Sequence, residues 1–145
     1  MKITFTIYAE PVPKARARTF YNAKAGRVMS YTPKKTTGFE QLISAEAAKH
    51  RPKSGLIMTG VFIEIKIFKS IPKSMSKKKR VLAEAGDLRP TTRPDIDNYM
   101  KSVFDALNKI IWLDDSQVVG CLVGKFFSTT PRTEVIIKTE EDTNV

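Results

Sequence analysis

Residues 93–119 read RPDIDNYMKSVFDALNKIIWLDDSQVV. Pro94 keeps Arg93 out of helical geometry, so the segment begins extended. Asp97 or Asn98 can then cap a helix whose apolar stripe is Met100, Val103, Phe104, Leu107 and Ile111. Beyond Trp112 and Leu113 the hydrophobic period shortens, and Gln117 to Phe127 reads as a strand. A helical period and a strand period side by side point to an α/β (α+β) chain.

The same two periods recur upstream and downstream. Thr59 to Phe68 is the clearest strand, with Val61, Ile63, Ile65 and Ile67 facing one way and Phe62, Glu64, Lys66 and Phe68 the other. Lys2 to Tyr8 alternates around Ile3, Phe5 and Ile7, and Thr133 to Lys138 around Val135 and Ile137. Those runs bring the strands to about four. Thr36 or Thr37 can cap a helix to about His50, with Phe39, Leu42, Ile43 and Ala47 on one face. Ser74 to Ala85 suits a short charged helix closed by Gly86. Between Glu10 and Pro33, prolines and Gly26 break any helix, which leaves a long exposed loop or hairpin. The tail after Lys138 is expected to fray over 140–145. No repeat or linker divides the chain, so residues 1–145 are read as one domain.

Composition narrows the function. A chain of 145 residues with 41% hydrophobic content can bury roughly 70% of its unfolded surface. The 25 basic against 15 acidic residues leave a net charge of +10, which calls for a polyanionic partner. Residues 1–80 carry +14 of that balance and residues 81–145 carry −4. A basic half suited to phosphates is thus joined to a half that crowds carboxylates. One cysteine and one histidine exclude a disulfide framework and a Cys/His zinc cluster, and argue against hydrolases that need two histidines. No apolar run approaches a membrane span, and the N-terminus meets Glu10 too early for a secretory signal, so a cytoplasmic protein is expected.

The crowded carboxylates are specific in their placement. Asp95 and Asp97 would share one side of an extended segment. Two anions that converge need a cation, and a hard divalent ion such as Mg²⁺ takes oxygen donors. Either Asp114 or Asp115 could add a third, since neighbours on an extended chain face opposite ways. Lys101, four residues after Asp97, can pair with it or stabilise charge on a phosphate. Asp105, one turn further, reads as structural or as a support behind the site residues. Metal-held carboxylates joined to a basic grip are what phosphodiester hydrolysis requires.

At this point the segment resembles the signature of the RusA-type Holliday junction resolvases of bacteriophages and prophages. Asp-x-Asp-Asn, a lysine four after the second Asp, Phe-Asp-Ala-Leu and Asp-Asp-x-Gln-Val all stand in order across residues 93–119. The runs PVPKARARTF and SYTPKKTTGFE are similar to the N-terminal part of phage-borne members. The resemblance implies a mixed sheet with helices packed on it. It also implies a homodimeric, Mg²⁺-dependent endonuclease, with Mn²⁺ as a substitute, that nicks opposed strands of a four-way DNA junction in recombination and repair. It assigns the metal to Asp95, Asp97 and Asp115, and a catalytic role to Lys101.

DNA contact is expected from the loop at 10–35. Lys14, Arg16, Arg18, Lys24, Arg27, Lys34 and Lys35 interleave there with Phe20, Tyr21 and Tyr31, and no acid lies between residues 11 and 39. Lys77, Lys78, Lys79 and Arg80 read as a solvated face or an auxiliary contact. GCLVGKF at 120–126 lacks the spacing and the Ser/Thr of a phosphate loop, so no nucleotide cofactor is expected. Cys121 reads as a small core residue and His50 as surface. The competing reading is a non-catalytic basic nucleic-acid-binding module. It would leave the five aspartates between 95 and 115 without a purpose beyond caps and turns.

Overall fold

A computed structural model describes residues 1–140; of the expected frayed tail, all but Glu140 lies outside the described residues. The elements run β1 Lys2–Ile7, β2 Arg18–Asn22, β3 Arg27–Tyr31, α1 Lys34–Ala48, β4 Val61–Ser70, α2 Lys77–Ala85, α3 Ile96–Leu107, β5 Val118–Ser128 and β6 Arg132–Thr139, with a 3₁₀ turn at Asp115–Gln117. β2 and β3 pair as a separate hairpin, and the other four strands form one sheet in the order β1-β6-β4-β5. β6 lies antiparallel to both of its neighbours, β1 and β4, whereas β5 lies parallel to β4. A parallel neighbour needs a long crossover, and here α2 and α3 supply it. The sheet is therefore mixed, as expected.

One face of this sheet carries the core. Val61, Ile63, Ile65 and Ile67 of β4 pack with Ile3, Phe5 and Ile7 of β1, and with Val135 and Ile137 of β6. Against them lie Phe39, Ile43 and Ala47 of α1, Tyr99, Val103, Ala106 and Leu107 of α3, and the fully buried Trp112. The alternation read at 61–67 is thus the period-2 pattern of a strand covered by helices on that side.

Several local expectations shift. α1 starts at Lys34, so Thr36 lies inside the helix, buried, and donates to the Pro13 carbonyl at 3.3 Å instead of capping. Leu42 is exposed, because the stripe that packs runs Thr36, Phe39, Ile43, Ala47. α3 begins earlier than expected, with Asp95 at its cap position and Asp97 already in the first turn. α2 starts at Lys77 rather than Ser74, capped by Ser76, which accepts from the Lys79 amide at 3.3 Å, and Gly86 ends it with φ +84°. His50 stacks on Phe5 at 5.7 Å. Cys121 is exposed, not core, because β5 is the edge strand of the sheet, with nothing paired beyond it among the described residues. Val119 and Leu122 are likewise exposed, so β5 is not covered on both faces.

The face of the sheet away from the helices holds Phe62 and Phe68 of β4, in register with Gly120 and Phe126 of β5. A Cβ at Gly120 would stand 2.5 Å from the Phe62 ring, so only glycine leaves room for that side chain.

Candidate functional site

α3 delivers the aspartates. Asp95 is extended (φ −70°, ψ 151°), and Ile96 starts the helix. Asp95 and Asp97 are both exposed, and among the described residues neither carboxylate has a hydrogen-bond or ion-pair partner. They are unpaired anions in a chain of net charge +10.

The third expected ligand is held differently. Asp115 is half-buried, and its Oδ1 accepts from the Trp112 indole Nε1 at 2.9 Å, leaving Oδ2 without a partner among the described residues. Asp114 instead closes the 3₁₀ turn. Its Oδ2 accepts from the Ser116 amide at 2.9 Å, while its own amide donates to Gln117 Oε1 at 2.9 Å. Those bonds from Ser116 hold its carboxyl below the usual range. Gln117 donates onward to the carbonyls of Ile57 and Thr59, at 2.7 and 3.0 Å, which seats the turn against the segment leading into β4. Among the described residues no group of three or more His, Cys, Asp or Glu side chains is gathered to hold a metal ion.

Lys101 pairs with Asp105, at 2.9 Å, and its side chain stays more than half exposed. Asp105 also receives Lys14 at 3.1 Å, and Lys14 reaches Glu40 at 2.8 Å. Burial alone would raise the Asp105 carboxyl, but hydrogen bonds from Lys101 and Lys14 outweigh it and hold the pKa low. Burial likewise opposes the charge on Lys14, yet Glu40 and Asp105 raise its pKa. Lys14 is therefore committed to an internal network rather than to a free loop. Its backbone amide donates to the Asn98 carbonyl at 2.8 Å, and Ser102 Oγ donates to the Val12 carbonyl at 3.0 Å. The first residues of the 10–35 segment are thus pinned along α3.

The rest of the basic set stays open. Arg16, Arg18, Lys24, Arg27, Lys34 and Lys35 are exposed, and none makes an ion pair among the described residues. Phe20, Tyr21 and Tyr31 are exposed on the same hairpin, with Phe20 and Tyr31 edge-to-face at 6.0 Å.

Sequence reasoning missed the basic groups around the approach to Asp95. Lys125 Nζ donates to the carbonyls of Thr92 and Pro94, both at 3.0 Å, and Lys69 Nζ lies 3.4 Å from that of Arg93. Arg89 Nε donates to the Lys125 carbonyl, and its guanidinium lies 3.7 Å from the centre of the Phe126 ring. The available signal was that Lys125 is the one charged residue in VVGCLVGKFFS.

Comparison with known proteins decides the family. The model described as Endodeoxyribonuclease RusA matches residues 9–138, nearly the whole chain. The chain belongs to the RusA endodeoxyribonuclease family. It is 48% identical over 139 residues to the uncharacterized protein YqaN of Bacillus subtilis strain 168, covering 94% of this chain and 95% of that one. It is also 38% identical over 84 residues to the crossover junction endodeoxyribonuclease rusA of Enterobacteria phage 82, and 36% identical over 84 residues to RusA of Escherichia coli strain K12. Each of these two matches covers 57% of this chain and 62% of the relative. No helix among the described residues is long and apolar enough to cross a membrane.

Proposed function

We propose that the chain is a Mg²⁺-dependent endonuclease that resolves four-way DNA junctions by paired nicks, as a homodimer. The observation that carries this reading is the uncompensated Asp95–Asp97 pair at the start of α3, in a molecule that also presents an acid-free basic hairpin. Oxygen donors of this kind suit Mg²⁺, which is commonly held by one or two carboxylates and otherwise by water. Asp95 and Asp97 would hold the ion, Asp115 would join them through its free Oδ2 only when the ion draws the carboxylates together, and Mn²⁺ would substitute. Such an ion supplies Lewis acidity and an activated water for attack on a phosphodiester.

The chain's own residues account for the rest. Lys101 keeps an exposed ammonium one helical turn beyond Asp97, able to leave Asp105 for a phosphate oxygen as negative charge develops. Arg16, Arg18, Lys24 and Arg27 on and beside the hairpin, with Lys34 and Lys35 at the start of α1, grip the backbone, while Phe20, Tyr21 and Tyr31 offer flat faces to unpaired bases at a branch. Two symmetric nicks need two sites, and one chain carries one set of aspartates, so a two-fold dimer completes the reading. Recombination and repair are the processes such an activity serves.

The test uses purified protein and a synthetic four-way junction, with Mg²⁺ in one arm and EDTA in the other. Cutting only with Mg²⁺ is expected. Retardation in both arms with cutting in neither would make the chain a binding module.

A further inference from the structure

We propose that Lys125 is a positioning residue for the aspartate pair. It would act by immobilising the peptide that leads into Asp95, and Lys69 would assist it. This inference rests on the nuclease reading above, and names residues outside the motif that complete the same site.

Three successive carbonyls, those of Thr92, Arg93 and Pro94, each face a lysine ammonium. The Pro94 carbonyl shares its rigid peptide plane with the Asp95 nitrogen, so a bond to that oxygen restrains the residue that follows. Lys125 reaches it from β5, across 31 residues of sequence. The grip is reciprocal, because Arg89, earlier in the same segment, donates to the carbonyl of Lys125 itself. The chain from 89 to 94 thus straddles the edge strand at one residue. Arg89 is braced by Phe126, and the space it occupies depends on a glycine: a Cβ at Gly124 would lie 2.9 Å from the Phe126 ring and 3.1 Å from Arg89 Nη2. Two charges are drawn together to do this, since burial and then Lys125 lower the Lys69 pKa. A lone charge in an apolar edge strand, satisfied by the carbonyls beside two unpaired carboxylates, is an outer support of the kind that orients ligands.

Lys125→Met in the full chain tests it, with Lys125→Arg and Lys69→Met alongside. Mn²⁺ binding is measured calorimetrically without DNA, and single-turnover junction cutting and junction affinity are measured separately. The expected result for Lys125→Met is an unfolding midpoint and junction affinity close to wild type, with Mn²⁺ affinity and cutting rate each lower by about 10- to 100-fold. Lys125→Arg, which can still donate to both carbonyls, should recover most of the loss, and Lys69→Met should show a smaller loss in the same direction. Unchanged Mn²⁺ affinity in Lys125→Met would overturn the proposal, whatever happens to cutting. So would a fall in junction affinity alone, which would make Lys125 a phosphate contact. If Lys125→Met does not fold, unchanged Mn²⁺ affinity in Lys69→Met overturns it. A wild-type chain that neither binds Mn²⁺ nor cuts would defeat the nuclease reading and this inference together.

Discussion

Asp95 and Asp97 make no contacts that folding depends on, whereas Asp115 does, and that difference separates three otherwise similar substitutions. Asp95→Asn and Asp97→Asn should abolish cutting with no loss of thermal stability, and junction binding should hold or tighten as repulsion of the phosphates falls. Asp115→Asn keeps an oxygen for the Trp112 indole, so it too should lose cutting at little cost in stability. Asp115→Ala leaves the indole N–H of the buried Trp112 unpaired and should cost about 1–3 kcal/mol as well. Nicking at the wild-type rate in any of the Asn variants would remove that residue from the site. Asp114→Asn should be mild, because asparagine caps as well as aspartate. Asp105 offers a pH test. Its folded pKa is depressed by Lys101 and Lys14, so its contribution is present above the unfolded value of about 3.9 and is lost as pH falls through the folded one. Asp105→Asn should therefore lower stability at pH 7 by about 1 kcal/mol. The stability difference between variant and wild type should shrink as pH falls below the unfolded carboxylate value and through the depressed folded one. Parallel curves down to the lowest pH would show that the carboxylate contributes through shape alone.

Two elements concentrate consequences of a larger size. The β2–β3 hairpin lifts Arg18 and Arg27 clear of every acid, and Arg16 precedes it, so the triple change of these arginines to Ala should weaken junction binding and flatten its salt dependence by about 0.9 in log–log slope per lost phosphate contact. An unchanged slope would make the hairpin a solubilising feature. Lys14→Ala should behave differently, lowering stability more than affinity, because its ammonium is already shared between Glu40 and Asp105. β5 is the second element. Its glycines leave room for the rings of Phe62 and Phe126, and an added methyl has nowhere to go. Gly120→Ala should cost about 1–3 kcal/mol by overpacking. Gly124→Ala should cost as much and should also displace Arg89. A midpoint shift below about 0.5 kcal/mol in either variant would show that the rings swing away freely.

For the whole molecule, the uncovered β5 edge bears on assembly. Val119 and Leu122 are exposed on an 11-residue edge strand, the type of surface that proteins otherwise shield. Sedimentation equilibrium at micromolar concentration should give twice 16.3 kDa, and a single-chain mass throughout would defeat the dimer. What the sequence determined alone was whatever depends on neighbours a few residues away. The alternation of Val61 to Ile67, the α3 stripe around Val103 and Leu107, the Gly86 stop and the order of the aspartate motif are all local periodicities or spacings, and a local period survives in one dimension. Helix starts were less legible, since Thr36 and Asp97 look like caps until the chain shows where each helix can be entered. Tertiary structure alone decided the rest. That β5 is an edge and exposes Cys121, that Lys14 closes on Asp105 and Glu40, and that Lys125 holds the carbonyls before Asp95 all depend on contacts across 26 to 91 residues or on the absence of a neighbouring strand. Such contacts are set by the crossover that lays β5 beside β4, and no spacing along the chain encodes which distant backbone a lysine will meet.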